Sequence, residues 1–441
     1  MKRVLTIAGS DSGGGAGVQA DLKVITVLGA YGMSVITALT AQNTLEVRGV
    51  EVVSPEFVRS QMDCVLTDIG ADAAKTGMLA TPEIVEVVAR GIRDHNIETL
   101  VVDPVMVAKS GDRLLTEDSL EVVKRELIPL ALVVTPNIPE ASALTGLDIE
   151  GPKGMEEAAR AIHAMGAKNV VIKGGHLEGD ALDLLFDGRS TYWKRARRIH
   201  TGNTHGTGCV FSAALATFLA QGNDVVSAFT MAKEFVTRAI LSSLPLGKGS
   251  GPTNPYVEVQ RWKEREAVLE DLRLAMERLE GAPLGELIPE VRSNLGYALP
   301  GAVDKGDVAA FPGRITQIGK KVMACKDPAF GASNHIAKVI LAAMRHDPGM
   351  RSAMNIRFGE DVLEACRRAG FLLASFDRKE EPQDVKEMEG STLEWGTHKA
   401  ISSLGRVPDA IYDMGEVGKE PMIRILGRTP MEVVEKVISL I

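Results

Sequence analysis

Through the first 244 residues, short runs of consecutive apolar residues alternate with amphipathic stretches, and this alternation constrains the fold more than any other property of the chain. The runs at 4–8, 34–39, 99–102, 132–134 and 170–172 show little of the polar alternation of a half-exposed strand. They predict strands buried on both faces, separated by helices such as 82–93 and 155–165, and hence a mostly parallel α/β sheet covered on both sides. Polar residues gather where these runs end: Gly9-Ser10-Asp11-Ser12, Gln42-Asn43-Thr44, Asp103-Pro104, Pro136-Asn137 and Lys173-Gly174-Gly175. In open α/β sheets that carboxyl edge is where ligands bind.

The stretch Gly202-Asn203-Thr204-His205-Gly206-Thr207-Gly208-Cys209 runs straight into the apolar residues 210–219. A glycine-rich turn feeding a helix makes an anion site, because unpaired N–H groups and the positive end of the helix dipole face the same point. The N–H groups of Gly206 to Cys209 are expected to face a phosphoryl group, with Cys209 at the helix start. Phosphoryl transfer is the chemistry this suggests. A turn that merely joins a strand to a tightly packed helix is the competing reading. The pattern G-x-x-x-x-G-K-[ST] does not occur, so any ATP is held by a cradle other than a Walker loop.

A length of 441 residues suggests two or three domains. With 45% apolar and 24% charged residues, the composition argues against wholesale disorder. Lys+Arg number 50 against 58 Asp+Glu, a net charge of −8, so no global basic field exists to hold nucleic acid. Cys64, Cys209, Cys325 and Cys366 are scattered with no C-x-x-C pair, which indicates neither a disulfide framework nor a zinc ribbon and suits a reducing cytoplasm. The first apolar run breaks at Gly9, too early for a signal-peptide core, and no stretch approaches the roughly 20 apolar residues of a membrane span. The expected partners are small-molecule substrates and further copies of the chain in a homo-oligomer, with no nucleic acid and no membrane.

Residues 245–255 are rich in proline and glycine and are expected to be exposed and irregular, at the junction of two domains. The first domain is accordingly placed at 1–255, a linker at 256–264 and the second domain at 265–441. Val268, Leu269, Leu272, Ala275, Met276 and Leu279 then recur at helical spacing. A smaller α/β set follows, with strands expected at 308–311, 355–358, 371–376, 410–412 and 422–426 and helices at 334–344, 361–369 and 430–440. The Gly-Thr-Gly-Cys motif does not recur, so the second domain is not a duplicate of the first.

Seven motifs stand in order in the first domain: IAGSDSGGGAG at 7–17, TAQNT at 40–44, KTGM at 75–78, DPVM at 103–106, TPN at 135–137 with Glu140, KGGH at 173–176 and THGTGC at 204–209. On them, residues 1 to about 250 resemble the hydroxymethylpyrimidine/phosphomethylpyrimidine kinase family, of ribokinase-like fold. The resemblance implies that ATP, with Mg²⁺, phosphorylates a pyrimidine alcohol and then its monophosphate. It puts Cys209 where most ribokinase-like sugar kinases carry an aspartate base. A thiol pKa of about 8.5 can fall at a helix N-terminus, so a thiolate is expected to accept the hydroxyl proton. Gly206, Thr207 and Gly208 form the implied phosphate cradle, and Lys173 reaches phosphate as a point charge. Asp103, Asn137 and Glu140 offer oxygens to hydrated Mg²⁺. Asn137 is equally a turn residue and Glu140 a helix cap. Gln42 and Met78 match the pyrimidine pocket, an amide for the aminopyrimidine edge and a thioether for its face. Asp21 matches a polar substrate contact, or else starts the helix at 22–28. Relatives with the same cysteine-bearing loop phosphorylate vitamin B6, so a pyridoxal kinase is the alternative; TAQNT and KTGM favour the pyrimidine.

Residues from about 265 resemble the thiamine-phosphate synthase domain found fused behind this kinase in archaea and some bacteria. The resemblance rests on LIPEVRSNLGY at 287–297, FPGR at 311–314, FGASNH at 330–335, NIR at 355–357, FDR at 376–378 and IYDMGEVGKEPMIR at 411–424. The implied reaction displaces pyrophosphate from the pyrimidine's methylene carbon and bonds that carbon to the nitrogen of a thiazole phosphate. Such a site mainly binds anions and holds two partners together. Arg314, after a Pro-Gly turn, is expected to clamp pyrophosphate, and His335, at a helix start, to orient or protonate the leaving group. Arg357, Arg378, Lys419 and Arg424 are further phosphate candidates, with Gly415 and Gly418 permitting backbone approach. Mg²⁺ is expected there too, without a readable ligand set. The alternative is a domain that binds thiamine phosphate and regulates the kinase. Residues 256–290 carry no basic recognition helix, which disfavours DNA.

Overall fold

The computed structural model describes residues 1–441 except 107–116, 176, 178, 383–391 and 417–418. The chain divides into two compact units, Met1–Val259 and Gln260–Ile441.

In the first unit the described strands are β1 (Arg3–Asp11), β2 (Tyr31–Gln42), β3 (Val47–Val52), β4 (Ala73–Thr76), β5 (Leu100–Val102), β6 (Val133–Val134), β7 (Asn169–Ile172), β8 (Ala181–Phe186) and β9 (Thr191–Ala196). They form a nine-stranded sheet in the order β3-β2-β1-β4-β5-β6-β7-β8-β9. From β2 through β7 the neighbours run parallel, and the outer β3, β8 and β9 join antiparallel. Successive side chains leave opposite faces of a strand. Ile7, Val102, Val134, Val170 and Ile172 pack into one core with the helices Pro55–Asp68, Pro82–Asp94 and Gly151–Ala164. Val4, Val101, Val133 and Val171 pack into another with Gly17–Val27, Thr207–Ala220 and Val225–Leu241. Both faces demand apolar residues, which is the physical reason for the unbroken runs. The helix Thr207–Ala220 is buried on almost every side, matching its all-round apolar sequence.

The proline- and glycine-rich segment departs from expectation in its second half. Residues 245–249 are exposed, but Gly251, Thr253, Asn254 and Pro255 are buried. The N–H of Thr253 donates to His205 O at 3.1 Å and that of Asn254 to Ala239 O at 2.9 Å, so this stretch belongs to the first unit's glycine loop. The helix Val257–Glu280 begins directly afterwards, and most of the stretch expected as a linker is helical.

The second unit is built on β10 (Leu295–Ala298), β11 (Val308–Ala310), β14 (Ala329–Phe330), β15 (Ser352–Arg357), β16 (Leu373–Ser375), β17 (Ala410–Asp413) and β18 (Met422–Gly427), with a separate hairpin of β12 (Ile315–Ile318) and β13 (Lys321–Ala324). The described sheet has the order β14-β11-β10-β15-β18-β17-β16, and within it β16–β17 alone is a parallel pair. The helices Val257–Glu280, Glu360–Arg368 and Pro430–Ile438 cover one face, through Leu272, Leu363 and Val434. Asn334–Met344 and Thr392–Leu404 cover the other, through Ile340 and Ile401. Among the described residues no helix is long and apolar enough to cross a membrane.

Candidate active sites

A cavity of about 1170 Å³ opens at the carboxyl edge of the first sheet. Gln42, Met78, Asp103, Asn137, Glu140, Lys173, Gly206, Thr207, Gly208 and Cys209 all line it, from strand ends, from the glycine loop and from the first turns of the helices Ile138–Thr145 and Thr207–Ala220. His176, the last residue of its motif, lies outside the described residues.

The glycine loop is fixed by a contact that sequence spacing does not reveal. Gly206 has φ 79°, and a Cβ there would stand 1.8 Å from Gly15 O, so no other residue fits. Beside it, His205 Nε2 lies 2.9 Å from Asp11 Oδ2, and the same carboxylate accepts the N–H groups of Gly13 (2.8 Å), Gly15 (3.0 Å) and Ala16 (2.8 Å). Asp11 thus locks two glycine-rich loops together across 194 residues of chain. Burial would raise its pKa, but His205 and the N–H groups of Ala16 and Gly13 outweigh burial and hold it below the usual carboxylate range. The expected cradle is smaller than four N–H groups, since Thr207 N–H turns back to Thr204 O at 3.3 Å. No backbone acceptor takes the N–H of Gly208 or Cys209 among the described residues, which leaves them at the mouth of the helix dipole.

Lys173 brings a positive charge to the cavity. Its Nζ lies 2.9 Å from Asp103 Oδ1 and 4.0 Å from Glu140 Oε2. Burial favours the neutral amine, but Asp103 and Glu140 reverse that and raise its pKa. Asp103, expected to meet a metal, is engaged by protein donors: Oδ1 takes Lys173 and the Thr135 hydroxyl (3.1 Å), and Oδ2 takes the Ser212 hydroxyl (3.0 Å). Its lone pairs position Lys173. Asn137 and Glu140 form a capping box on the helix Ile138–Thr145: Glu140 N–H donates to Asn137 Oδ1 (2.9 Å) and Asn137 N–H to Glu140 Oε2 (2.8 Å). Burial pushes the Glu140 carboxyl up to about 7, against the pull of Lys173. Among the described residues no three His, Cys, Asp or Glu side chains converge as a metal cage. Asn137 and Glu140 are hard oxygen donors among the residues lining the cavity, which fits a hydrated Mg²⁺ that takes its other ligands from phosphate and water.

Two further expectations are corrected. Asp21 is wholly buried and does not line the cavity; it accepts Lys75 Nζ at 2.9 Å and the Thr6 hydroxyl at 2.6 Å. A carboxylate sealed under the floor cannot contact substrate, and it instead fixes Lys75, which does line the cavity and which the motif reading left without a role. Cys209 stands at the helix start as expected, but packing around the thiol pushes it up to about 11, and Lys75 only partly offsets this. The thiolate is therefore a minor form at neutral pH. Gln42 Oε1 accepts the Thr40 hydroxyl at 3.2 Å, and Met78 Sδ lies close over Gly9, where a Cβ would stand 3.1 Å away.

In the second unit, His335 lies in the first turn of the helix Asn334–Met344, which Ser333 caps. Burial lowers its pKa, and the charges of Arg314, Lys338, Arg424 and Arg378 lower it further. Three of the sequence candidates are thus brought to bear on His335. The imidazole is neutral at neutral pH, so it serves as an N–H donor or acceptor and not as a ready acid. Arg378 and Arg424 are both buried and share Asp413: Arg378 Nε is 2.6 Å from Oδ1 and Arg424 Nη1 2.8 Å from Oδ2. Asp413 also accepts Gly415 N–H at 2.9 Å, and the sequence reading gave it no role. Arg357 pairs with Asp361 at 2.5 Å, and its Nε donates to Glu286 O at 2.6 Å. Lys419 is half exposed and 3.9 Å from Glu416, a surface pair. Gly418 lies outside the described residues. The turn bearing Arg314 is held by Asn294, which accepts Phe311 N–H (2.9 Å) and donates to Phe311 O (3.0 Å).

Residues 11–254 match the phosphomethylpyrimidine kinase family, and residues 271–439 match thiamine-phosphate synthase ThiN. The chain is 51% identical over 263 residues to the thiamine biosynthesis bifunctional protein ThiED of Geobacter sulfurreducens, covering 59% of this chain and 54% of that one. It thus spans about half the length of that relative. It is 50% identical over 251 residues to the hydroxymethylpyrimidine/phosphomethylpyrimidine kinase of Streptomyces coelicolor, covering 57% of this chain and 93% of that one. An ADP complex of Bacillus subtilis pyridoxal kinase superposes with a TM-score of 0.55 at 42% identity, covering 58% of this chain and 98% of that one. A mostly parallel sheet with its cavity at the carboxyl edge, kinase relatives across the first unit and a synthase match across most of the second agree. The chain belongs to the phosphomethylpyrimidine kinase family and carries a thiamine-phosphate synthase ThiN region behind the kinase.

Proposed function

We propose that the chain makes thiamine phosphate from a pyrimidine alcohol, ATP and a thiazole phosphate, with two phosphorylations in the first unit and a condensation in the second. The observation that carries the kinase reading is the single cavity shared by Lys173, the helix start at Gly208 and Cys209, Gln42 and Met78. The hydroxyl oxygen of 4-amino-5-hydroxymethyl-2-methylpyrimidine attacks the γ-phosphorus, the bond to the bridging oxygen breaks, and ADP leaves. Lys173 and the N–H groups of Gly208 and Cys209 meet the charge on the transferring group, and Cys209 in its thiolate form takes the hydroxyl proton. Mg²⁺, when bound, neutralises the phosphate oxygens, with Asn137 and Glu140 reaching its waters. A second transfer converts the monophosphate to the diphosphate. Gln42 and Met78 hold the ring.

In the second unit pyrophosphate departs from the methylene carbon, the aminopyrimidine stabilises the cation, and the thiazole nitrogen's lone pair forms the new C–N bond. Arg314 meets the pyrophosphate and neutral His335 orients it. Self-association belongs to the same proposal; the outer strand β3 exposes Val50 and Val52, and sedimentation checks it. The four cysteines are free, as a reducing cytoplasm would leave them.

Incubating the full chain with Mg-ATP and the pyrimidine alcohol should give monophosphate and then diphosphate, and adding thiazole phosphate should give thiamine phosphate with one pyrophosphate released. Accumulation of monophosphate at saturating ATP counts against the double transfer. Faster turnover of pyridoxal than of the pyrimidine favours the second reading, which the likeness to a pyridoxal kinase supports.

A further inference from the structure

The non-glycine residues with positive φ, among those described, are Ala80, Asn96, Arg292 (68°) and Arg314 (70°). Two arginines in the left-handed region is a costly choice, since glycine or asparagine holds such a turn with less strain. The two are also clasped to each other's turn. An Arg314 guanidinium nitrogen donates to Val291 O, and Arg292 Nη1 donates to Gly313 O at 3.4 Å. Between them Ser293 and Ile315 exchange backbone hydrogen bonds at 3.1 and 2.8 Å.

The surroundings enforce this geometry. Glu420 accepts the N–H groups of Glu290 (3.1 Å) and Val291 (3.2 Å), while Asn355 donates to Arg292 O (3.1 Å) and accepts Asn294 N–H (2.8 Å). Backbone strain that the surrounding structure over-determines clusters at functional sites. Both arginine side chains are exposed, and each spends one nitrogen on the clasp while a guanidinium offers five N–H donors. Arg314 is also one of the charges acting on His335.

The geometry points to Arg292 as a second phosphate-binding residue that forms, with Arg314, a two-arginine clamp for a phosphate or pyrophosphate group at the second unit's site. This rests on the synthase reading. Two sources offer that chemistry, the pyrophosphate of the pyrimidine diphosphate and the phosphate of the thiazole.

The full-length chain is compared with its Arg292→Gly, Arg292→Ala and Arg292→Lys variants by calorimetric titration with inorganic pyrophosphate, by thermal unfolding, and by kinetics with each substrate varied in turn. Losing one charge-assisted contact should weaken pyrophosphate about tenfold to a hundredfold in the Gly and Ala variants, and less in Lys. The Gly variant should unfold roughly 2–4 °C above the Ala variant, because glycine accepts the left-handed backbone. A raised KM for the pyrimidine diphosphate puts the guanidinium on pyrophosphate; a raised KM for the thiazole phosphate puts it on that group. Wild-type pyrophosphate affinity together with wild-type KM for both substrates in the Gly variant overturns the inference. If the wild-type chain makes no thiamine phosphate, that failure falls on the synthase reading, and the pyrophosphate titration still decides Arg292.

Discussion

Cys209 sits where a helix dipole favours a thiolate, yet its packing pushes the thiol up to about 11. If the thiolate is the working form, kcat for phosphorylation rises close to tenfold per pH unit from neutral into the mildly alkaline range. Cys209→Ala should lose that slope and about 10²–10⁴ in kcat while the KM for ATP changes little. A pH–rate profile decides this, and an unchanged slope in the alanine variant returns Cys209 to a helix-packing role. Asp413 shows the opposite balance. Burial would raise its pKa, but Arg378 and Arg424 outweigh burial and hold the carboxyl below its usual range. Asp413→Asn leaves two buried guanidinium groups without their counter-charge and should destabilise the second unit by about 3–5 kcal/mol, read by denaturant unfolding. A carboxylate held low contributes stability that is complete above the unfolded value of about 3.9 and is lost as pH falls through the folded value. The wild-type second unit should therefore weaken below about pH 4 more steeply than the asparagine variant.

At the scale of elements, each site is a strand end or a helix start whose local geometry the sequence specifies. Asn137-Ile-Pro-Glu140 reads as a capping box and forms one. The glycine loop before Thr207 reads as an anion turn, and its Gly206 takes the positive φ that only glycine accommodates against Gly15 O. Gly206→Ala adds a left-handed alanine, about 1–2 kcal/mol, to a backbone collision that the loop relieves only by moving. The KM for ATP should rise at least tenfold, by coupled assay, with the second unit's activity unchanged. A wild-type KM in that variant means that the loop does not hold the nucleotide. What local reading missed are the partners that other elements bring. Asp11 on β1 meets His205, and Asp21 on the helix Gly17–Val27 meets Lys75 on β4. No spacing rule couples residues 194 positions apart.

For the whole molecule, the two compact units keep their site residues apart in sequence, the first unit's cavity drawing on 8–240 and the His335 cluster on 314–424. His335→Ala and Arg314→Ala should each cost ~10²–10³ in thiamine-phosphate formation and leave pyrimidine-dependent ATP consumption nearly intact. Wild-type synthesis with loss of tight product binding favours a sensing domain instead. The sequence by itself determined the sheet class, the carboxyl-edge cavity and the glycine turn at the helix start, because burial on both faces and turn geometry act over a few residues and leave a local signature. Only the tertiary structure decided which charges are available. Asp21 has the right chemistry for a ligand, but burial against Lys75 takes it off the cavity, while Asp103 and Arg357 meet Lys173 and Asp361. Burial, which is a property of the packed whole, set the thiol of Cys209 high and the imidazole of His335 low.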